Sequence, residues 1–149
     1  MRTIVISQEI KEKIEDIQAH HDFRNETGGI IVGIYDTKEM CLRITDFSFP
    51  FERDVRRRFR FFRHKEGHQE YMDKLWKESG HIKAYLGEWH THDQDIPVPS
   101  ITDKQTWKRI AKQNNNFDQC CFIIIGRKKY QMWTVINDKV VEQMEDVDE

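Results

Sequence analysis

The segment Gly87-Glu88-Trp89-His90-Thr91-His92-Asp93-Gln94-Asp95-Ile96-Pro97-Val98-Pro99-Ser100-Ile101-Thr102-Asp103 constrains this chain more than any other. Pro97 and Pro99 forbid regular helix across its middle, so a strand must give way to a loop before Ser100. Alternate residues of a strand share a face, which sends His90 and His92 to the same side. A carboxylate returned by the loop, Asp103, completes a set of two nitrogen donors and one oxygen donor. That set suits zinc and leaves the fourth tetrahedral position open for water, as in catalytic rather than structural sites. The chemistry it points to is hydrolysis.

Each part has a plain alternative. His-x-His alone is commonly a surface or hydrogen-bonded pair. Ser100-x-x-Asp103 is also a capping box opening a helix, but a helix N-terminus can hold Asp103 in place for a metal as well. Hydrolysis further needs a base that takes a proton from water and returns it to the leaving amine. Glu26 stands just ahead of Gly28 and Gly29, which permit close backbone approach. Its plain alternative is an ordinary turn carboxylate. Glu88 competes, because it shares the strand face of the two histidines and could steady them from behind. The residues alone leave both candidates open.

The rest of the chain reads as one α+β domain over residues 1–149, a central, mostly antiparallel sheet flanked by helices. Residues 2–6 read as a strand. Ser7 offers an N-cap, with Glu9 in the first turn and Ile10, Ile14 and Ile17 at helical spacing. Residues 28–35 and 40–49 form a hairpin pattern, residues 66–78 an amphipathic helix stopped by Ser79-Gly80, and residues 82–92 the histidine strand. Residues 103–113 are helical, residues 114–116 a polar turn, and residues 117–126 and 130–136 a second hairpin. The acidic end, with Glu142, Glu145, Asp146, Asp148 and Glu149, is expected to fray. Trp76, Trp107 and Trp133 are expected in the core, and Trp89 beneath the histidine face. His68 and His81 are read as structural or surface residues, and His20-His21 as the end of the first helix.

The net charge of −2 favours no class of partner. No run is long enough to cross a membrane, and the N-terminus does not read as a signal peptide, so a cytoplasmic location is expected. Cys41, Cys120 and Cys121 lack metal-ligand spacing and read as buried free thiols. Within residues 51–64, Arg53, Arg56, Arg57, Arg58, Arg60 and Arg63 interleave with Phe59, Phe61 and Phe62. A solvated strand face is the leading reading, guidance of an acidic or extended substrate tail the second. Nucleic-acid binding comes last, because the patch is short and the pI is about 6.4.

Glu26 with Gly28-Gly29, His90-x-His92, Ser100 and Asp103 resemble the JAMM signature of the JAB/MPN metallopeptidase family, including the ten residues between His92 and Asp103. The resemblance covers essentially the whole chain and implies a JAB/MPN-type domain. It further implies one zinc ion per chain held by His90, His92 and Asp103. Glu26 would be general base and then acid, and Ser100 would stabilise the tetrahedral oxyanion. The family usually has proline after the second histidine, where this chain has Asp93. The histidine segment, the Pro-x-Pro-Ser, Gly67-His68-Gln69 and Leu75-Trp76 are similar to small standalone bacterial members. These include the deconjugating peptidases of CBASS antiphage operons, which accompany cyclic-nucleotide synthases (CD-NTases). The implied substrate is a protein with an extended C-terminal tail, ubiquitin-like or a conjugated cyclic-nucleotide synthase. Processing of a sulfur-carrier-like precursor and a non-catalytic MPN scaffold are the alternatives, the scaffold opposed by the intact ligand set.

Overall fold

The computed structural model describes residues 3–49, 55–57, 60–62, 65–113, 120–143 and 145–146. Ten strands and three helices follow in the order β1 (Thr3–Ile6), α1 (Gln8–His20), β2 (Gly28–Asp36), β3 (Cys41–Phe47), β4 (Val55–Arg57), β5 (Arg60–Phe62), α2 (Lys65–Glu78), β6 (Ala84–Thr91), α3 (Ile101–Gln113), β7 (Cys121–Ile125), β8 (Tyr130–Ile136), β9 (Lys139–Gln143) and β10 (Glu145–Asp146). Among the described residues, eight strands form one sheet in the order β10-β1-β3-β2-β6-β7-β8-β9. The sheet is mixed: β2–β3, β2–β6, β7–β8 and β8–β9 pair antiparallel, whereas β1 runs parallel to both β3 and β10, and β6 runs parallel to β7, with His90 opposite Ile124. The link between β6 and β7 passes through α3, the crossover that a parallel pair requires.

The two faces of the sheet are packed separately. Cys121, Ile123 and Ile125 turn toward α1, whose Ile10, Ile14 and Ile17 share a core with Ile4, Ile6, Ile31, Leu42, Ile44 and Trp89. Phe122 and Ile124, from the same strand, turn the other way onto Trp107, Ile110 and Ala111 of α3. A strand with both faces covered reads as a continuous apolar run, as this one does. α1 starts as its sequence indicates: the Ser7 side chain accepts a hydrogen bond from the Ile10 N–H at 3.3 Å.

The Ser48 side chain and backbone join three elements beneath the histidine strand. Its N–H donates to Ile30 O and its carbonyl accepts from Trp89 Nε1. Its hydroxyl oxygen accepts from the Ile30 N–H at 2.8 Å, and the same hydroxyl is hydrogen-bonded to His68 Nδ1, 2.6 Å away on α2. Ser48 is only 1% exposed, and such a group is tolerated because each of its polar atoms is partnered. Gly29 is required here, since a Cβ would stand 2.2 Å from the Ser48 carbonyl oxygen.

Several expectations change. Trp76 is not core: it is 44% exposed and stacks on His81 past the Gly80 stop. His68, by contrast, is fully buried and structural. The acidic end does not fray as a whole, because Lys139–Gln143 pairs with β8 and Glu145–Asp146 pairs with β1. Asn137 and Asp138, both at positive φ, make the two-residue turn that favours such hairpins, and that dipeptide was the available signal. The side chains of residues 53–63, the proposed turn at 114–116 and residues 147–149 lie outside the described residues. No helix among those described is long and apolar enough to cross a membrane.

Candidate metal centre

β6 carries the site because of its irregular beginning. The register with β2 slips between Ile31 and Val32, where Gly87 lies opposite Ile31 and Tyr85 opposite Val32, leaving Leu86 as the extra residue of a bulge. Gly87 itself lies so close to β7 that a Cβ would stand 1.7 Å from the Cys121 carbonyl oxygen. Beyond the bulge, Trp89 points to the α1 face and stacks on Phe47, while His90 faces α3 near Trp107.

Asp103 is delivered by the first turn of α3. Its N–H donates to Ser100 Oγ at 3.0 Å, and its Oδ2 accepts from the Ser100 N–H at 2.8 Å, a reciprocal capping box. The helix therefore begins at Ile101, two residues before the predicted start. The same carboxylate straddles both imidazoles, with Oδ1 3.3 Å from His90 Nε2 and Oδ2 3.2 Å from His92 Nε2. The two Nε2 atoms are 3.1 Å apart.

Donors about 2.0–2.1 Å from one zinc ion at tetrahedral angles stand about 3.3–3.4 Å from each other. Each histidine stands near that distance from a different Asp103 oxygen, and with one ligand atom from each residue the three lie within 4.8 Å of one another; His90, His92 and Asp103 are the one such group of three among the described residues. The two nitrogens and one oxygen suit zinc.

Glu26 reaches this group from a distant part of the sequence. Thr91, between the two histidines, donates its N–H to Thr27 O at 2.9 Å and accepts the Thr27 N–H on its hydroxyl at 3.0 Å. That clamp puts Glu26 Oε1 3.8 Å from His92 Nε2. Burial raises the Glu26 pKa, opposed in part by His90 and His92. For Asp103, burial also disfavours the charge, but hydrogen bonds from His90 and His92 outweigh it and hold the carboxyl well below its usual range. Glu88, the rival base, instead accepts from Tyr85 Oη at 2.9 Å and lines a cavity of about 400 Å³ with Ile30, His68 and Met72. Ser100 is exposed at the helix cap, and because its oxygen accepts from Asp103, its hydroxyl hydrogen remains to donate. Where the family's usual proline is replaced, Asp93 pairs with Arg127 of the β7–β8 turn, and Asp95 joins it through Arg127 Nε at 2.9 Å. Sequence reasoning missed Thr27, Thr91 and Arg127, whose roles depend on pairing across the sheet.

Residues 16–137 match the family described as prokaryotic homologs of the JAB domain. The chain belongs to this family. Within the JAB family, it is 35% identical to a CD-NTase/cGAS isopeptidase of Escherichia coli (strain TW11681), over 84% of this chain and 77% of that one. It is 30% identical to the CD-NTase/cGAS isopeptidase of Vibrio cholerae serotype O1, over 85% of this chain and 78% of the relative. The solution structure of protein DSY2949 from Desulfitobacterium hafniense shares the fold, with a TM-score of 0.63 and 17% identity over 98% of this chain and 96% of that one.

Two expected outcomes follow from this geometry. Thr91→Val removes the acceptor of a buried N–H, which should cost about 1–3 kcal/mol and lower Tm by roughly 2–10 °C. Zinc binding should persist while cleavage falls, because Glu26 loses its anchor; a drop in both would show that the clamp serves the ligands too. The second outcome concerns pH. In metal-free protein, desolvation works against a charged His92, yet Asp103 and Glu26 raise its pKa. A raised folded value gives stability that is full below the ordinary histidine pKa of about 6.5 and is lost as pH climbs through the folded value. Chelator-treated protein should therefore melt progressively lower from about pH 6.5 upward, while zinc affinity rises because protons compete less. A melting temperature that rises over that window in metal-free protein would contradict it.

Proposed function

We propose that the chain is a zinc-dependent isopeptidase or peptidase that cleaves after the C-terminus of a conjugated protein. The observation that carries this is the cluster of His90, His92 and Asp103, whose ligand atoms lie within 4.8 Å of one another, with the buried Glu26 carboxylate beside it. Similarity to CD-NTase/cGAS isopeptidases supports a protein substrate, and an extended C-terminal tail on a cyclic-nucleotide synthase or ubiquitin-like partner is the form we infer. By the same inference, it acts in the cytoplasm, in antiphage defence, by reversing E1/E2-like conjugation.

When bound, zinc supplies Lewis acidity that polarises a carbonyl and makes water acidic enough to attack near neutral pH. Glu26 accepts the proton given up by the attacking water and hands it to the departing amine, a task suited to a carboxylate whose pKa is raised. The Ser100 hydroxyl, capped on the Asp103 side, donates to the oxygen that gains charge. His90, His92 and Asp103 would hold the metal, and the capping box keeps the carboxylate from swinging away.

The test is incubation with a cyclic-nucleotide synthase fused through its C-terminus to a reporter, with and without a chelator, followed by mass spectrometry of the product. Cleavage after the synthase's last residue, abolished by chelation and restored by zinc, is the expected result. Cleavage only of a sulfur-carrier fusion would redirect the function to precursor processing. No cleavage of either would leave the scaffold reading in its place.

A further inference from the structure

Pro97-Val98-Pro99 contains a single backbone donor, the Val98 N–H, because proline has none. That N–H donates to Gln94 Oε1 at 3.0 Å. The same oxygen lies 3.2 Å from His92 Nδ1. Since a backbone N–H can only donate, the Gln94 amide must present its oxygen, and an amide oxygen can only accept. His92 Nδ1 must therefore carry the proton of this contact, so that Nε2, beside His90 and Asp103, is the ring nitrogen left to give up its proton and bind a metal.

The carrier of this relay is itself held rigidly. The Gln94 N–H donates to His92 O at 2.8 Å, and its carbonyl accepts from the Arg127 N–H at 2.7 Å. Asp95 O accepts the N–H groups of Lys128 and Lys129, and Gly126 approaches so closely that a Cβ would stand 2.7 Å from Gln94 O. The β7–β8 turn thus fixes the backbone from which the Gln94 side chain reaches back to the ligand.

We propose that Gln94 is a positioning residue that locks His92 as an Nε2 donor to the metal and couples it to the Pro97-Val98-Pro99 loop. Partners of this kind orient ligating histidines and fix their tautomer. The proposal rests on the zinc-site reading, and the test separates the two.

Zinc affinity of the full chain is measured by competition with a chromophoric chelator for the parent, Gln94→Met and Gln94→Glu. Methionine keeps the length without the acceptor, whereas glutamate keeps the acceptor. Gln94→Met should bind zinc about 10–100-fold more weakly, and Gln94→Glu should match or exceed the parent. In ¹⁵N-labelled, zinc-loaded protein, the His92 Nδ1 proton should be protected from exchange in the parent and Gln94→Glu and exposed in Gln94→Met. Parent-like zinc affinity in Gln94→Met, or a parent Nδ1 proton that exchanges freely, overturns the role of Gln94. If Gln94→Met does not fold, the parent spectrum and the Gln94→Glu affinity decide alone. A parent that binds no zinc refutes the site itself and the proposal with it.

Discussion

Glu26→Gln is expected to lower the cleavage rate by about 10²–10⁴-fold, the usual contribution of a positioned acid–base group. The amide keeps the shape of the carboxylate and loses its ability to take a proton. Glu26 is not one of the three clustered donors, so the metal should remain bound, as equilibrium dialysis would record. Glu88→Gln is the matched control. Its carboxylate is engaged by Tyr85 in a neighbouring cavity, and its loss should leave the chemical step largely intact. Equal collapse in both variants, or none in Glu26→Gln, would remove Glu26 as the base.

The second large effect belongs to Asp103, because one carboxylate does two jobs. Asp103→Asn keeps an oxygen able to accept the Ser100 N–H and loses the charge that favours a cation. Asp103→Ala loses both. In the parent, zinc at a hundredfold excess over its Kd should add about 2.7 kcal/mol, a rise in Tm of roughly 5–10 °C. That rise should shrink sharply in Asp103→Asn and vanish in Asp103→Ala, with cleavage lost in both. Asp103→Ala without zinc should in addition be about 1 kcal/mol less stable than Asp103→Asn, the usual worth of a helix cap. An undiminished zinc-induced rise in Asp103→Ala would exclude it as a ligand.

What could be read from the sequence follows the distance over which each interaction acts. His90, His92, Ser100 and Asp103 lie in one short stretch, where strand alternation and a capping box fix their relation locally, and that part of the site was legible. The Ser7 cap and the Ile10, Ile14 and Ile17 stripe were legible for the same reason. That Glu26 and not Glu88 lies beside His92 was beyond the residues alone, since it depends on Thr27 lying against Thr91 across the sheet. The Ser48 junction was equally hidden: nothing near Ser48 in sequence announces that Ile30, His68 and Trp89 converge on it. Trp76 failed for the opposite reason. Its helical spacing is apolar, but it falls in the last turn, next to His81 and away from the core.

All three metal donors come from one strand–loop–helix stretch, so an ion held by them fastens together parts of the chain that were already neighbours. Closing so short a loop removes little freedom from the unfolded chain. The metal is thus a tenant of the fold, unlike the ion of a zinc finger, without which the domain is unfolded. The protein should remain folded when stripped and recover activity on simple readdition of zinc, which would let metal supply switch the enzyme on and off without refolding it.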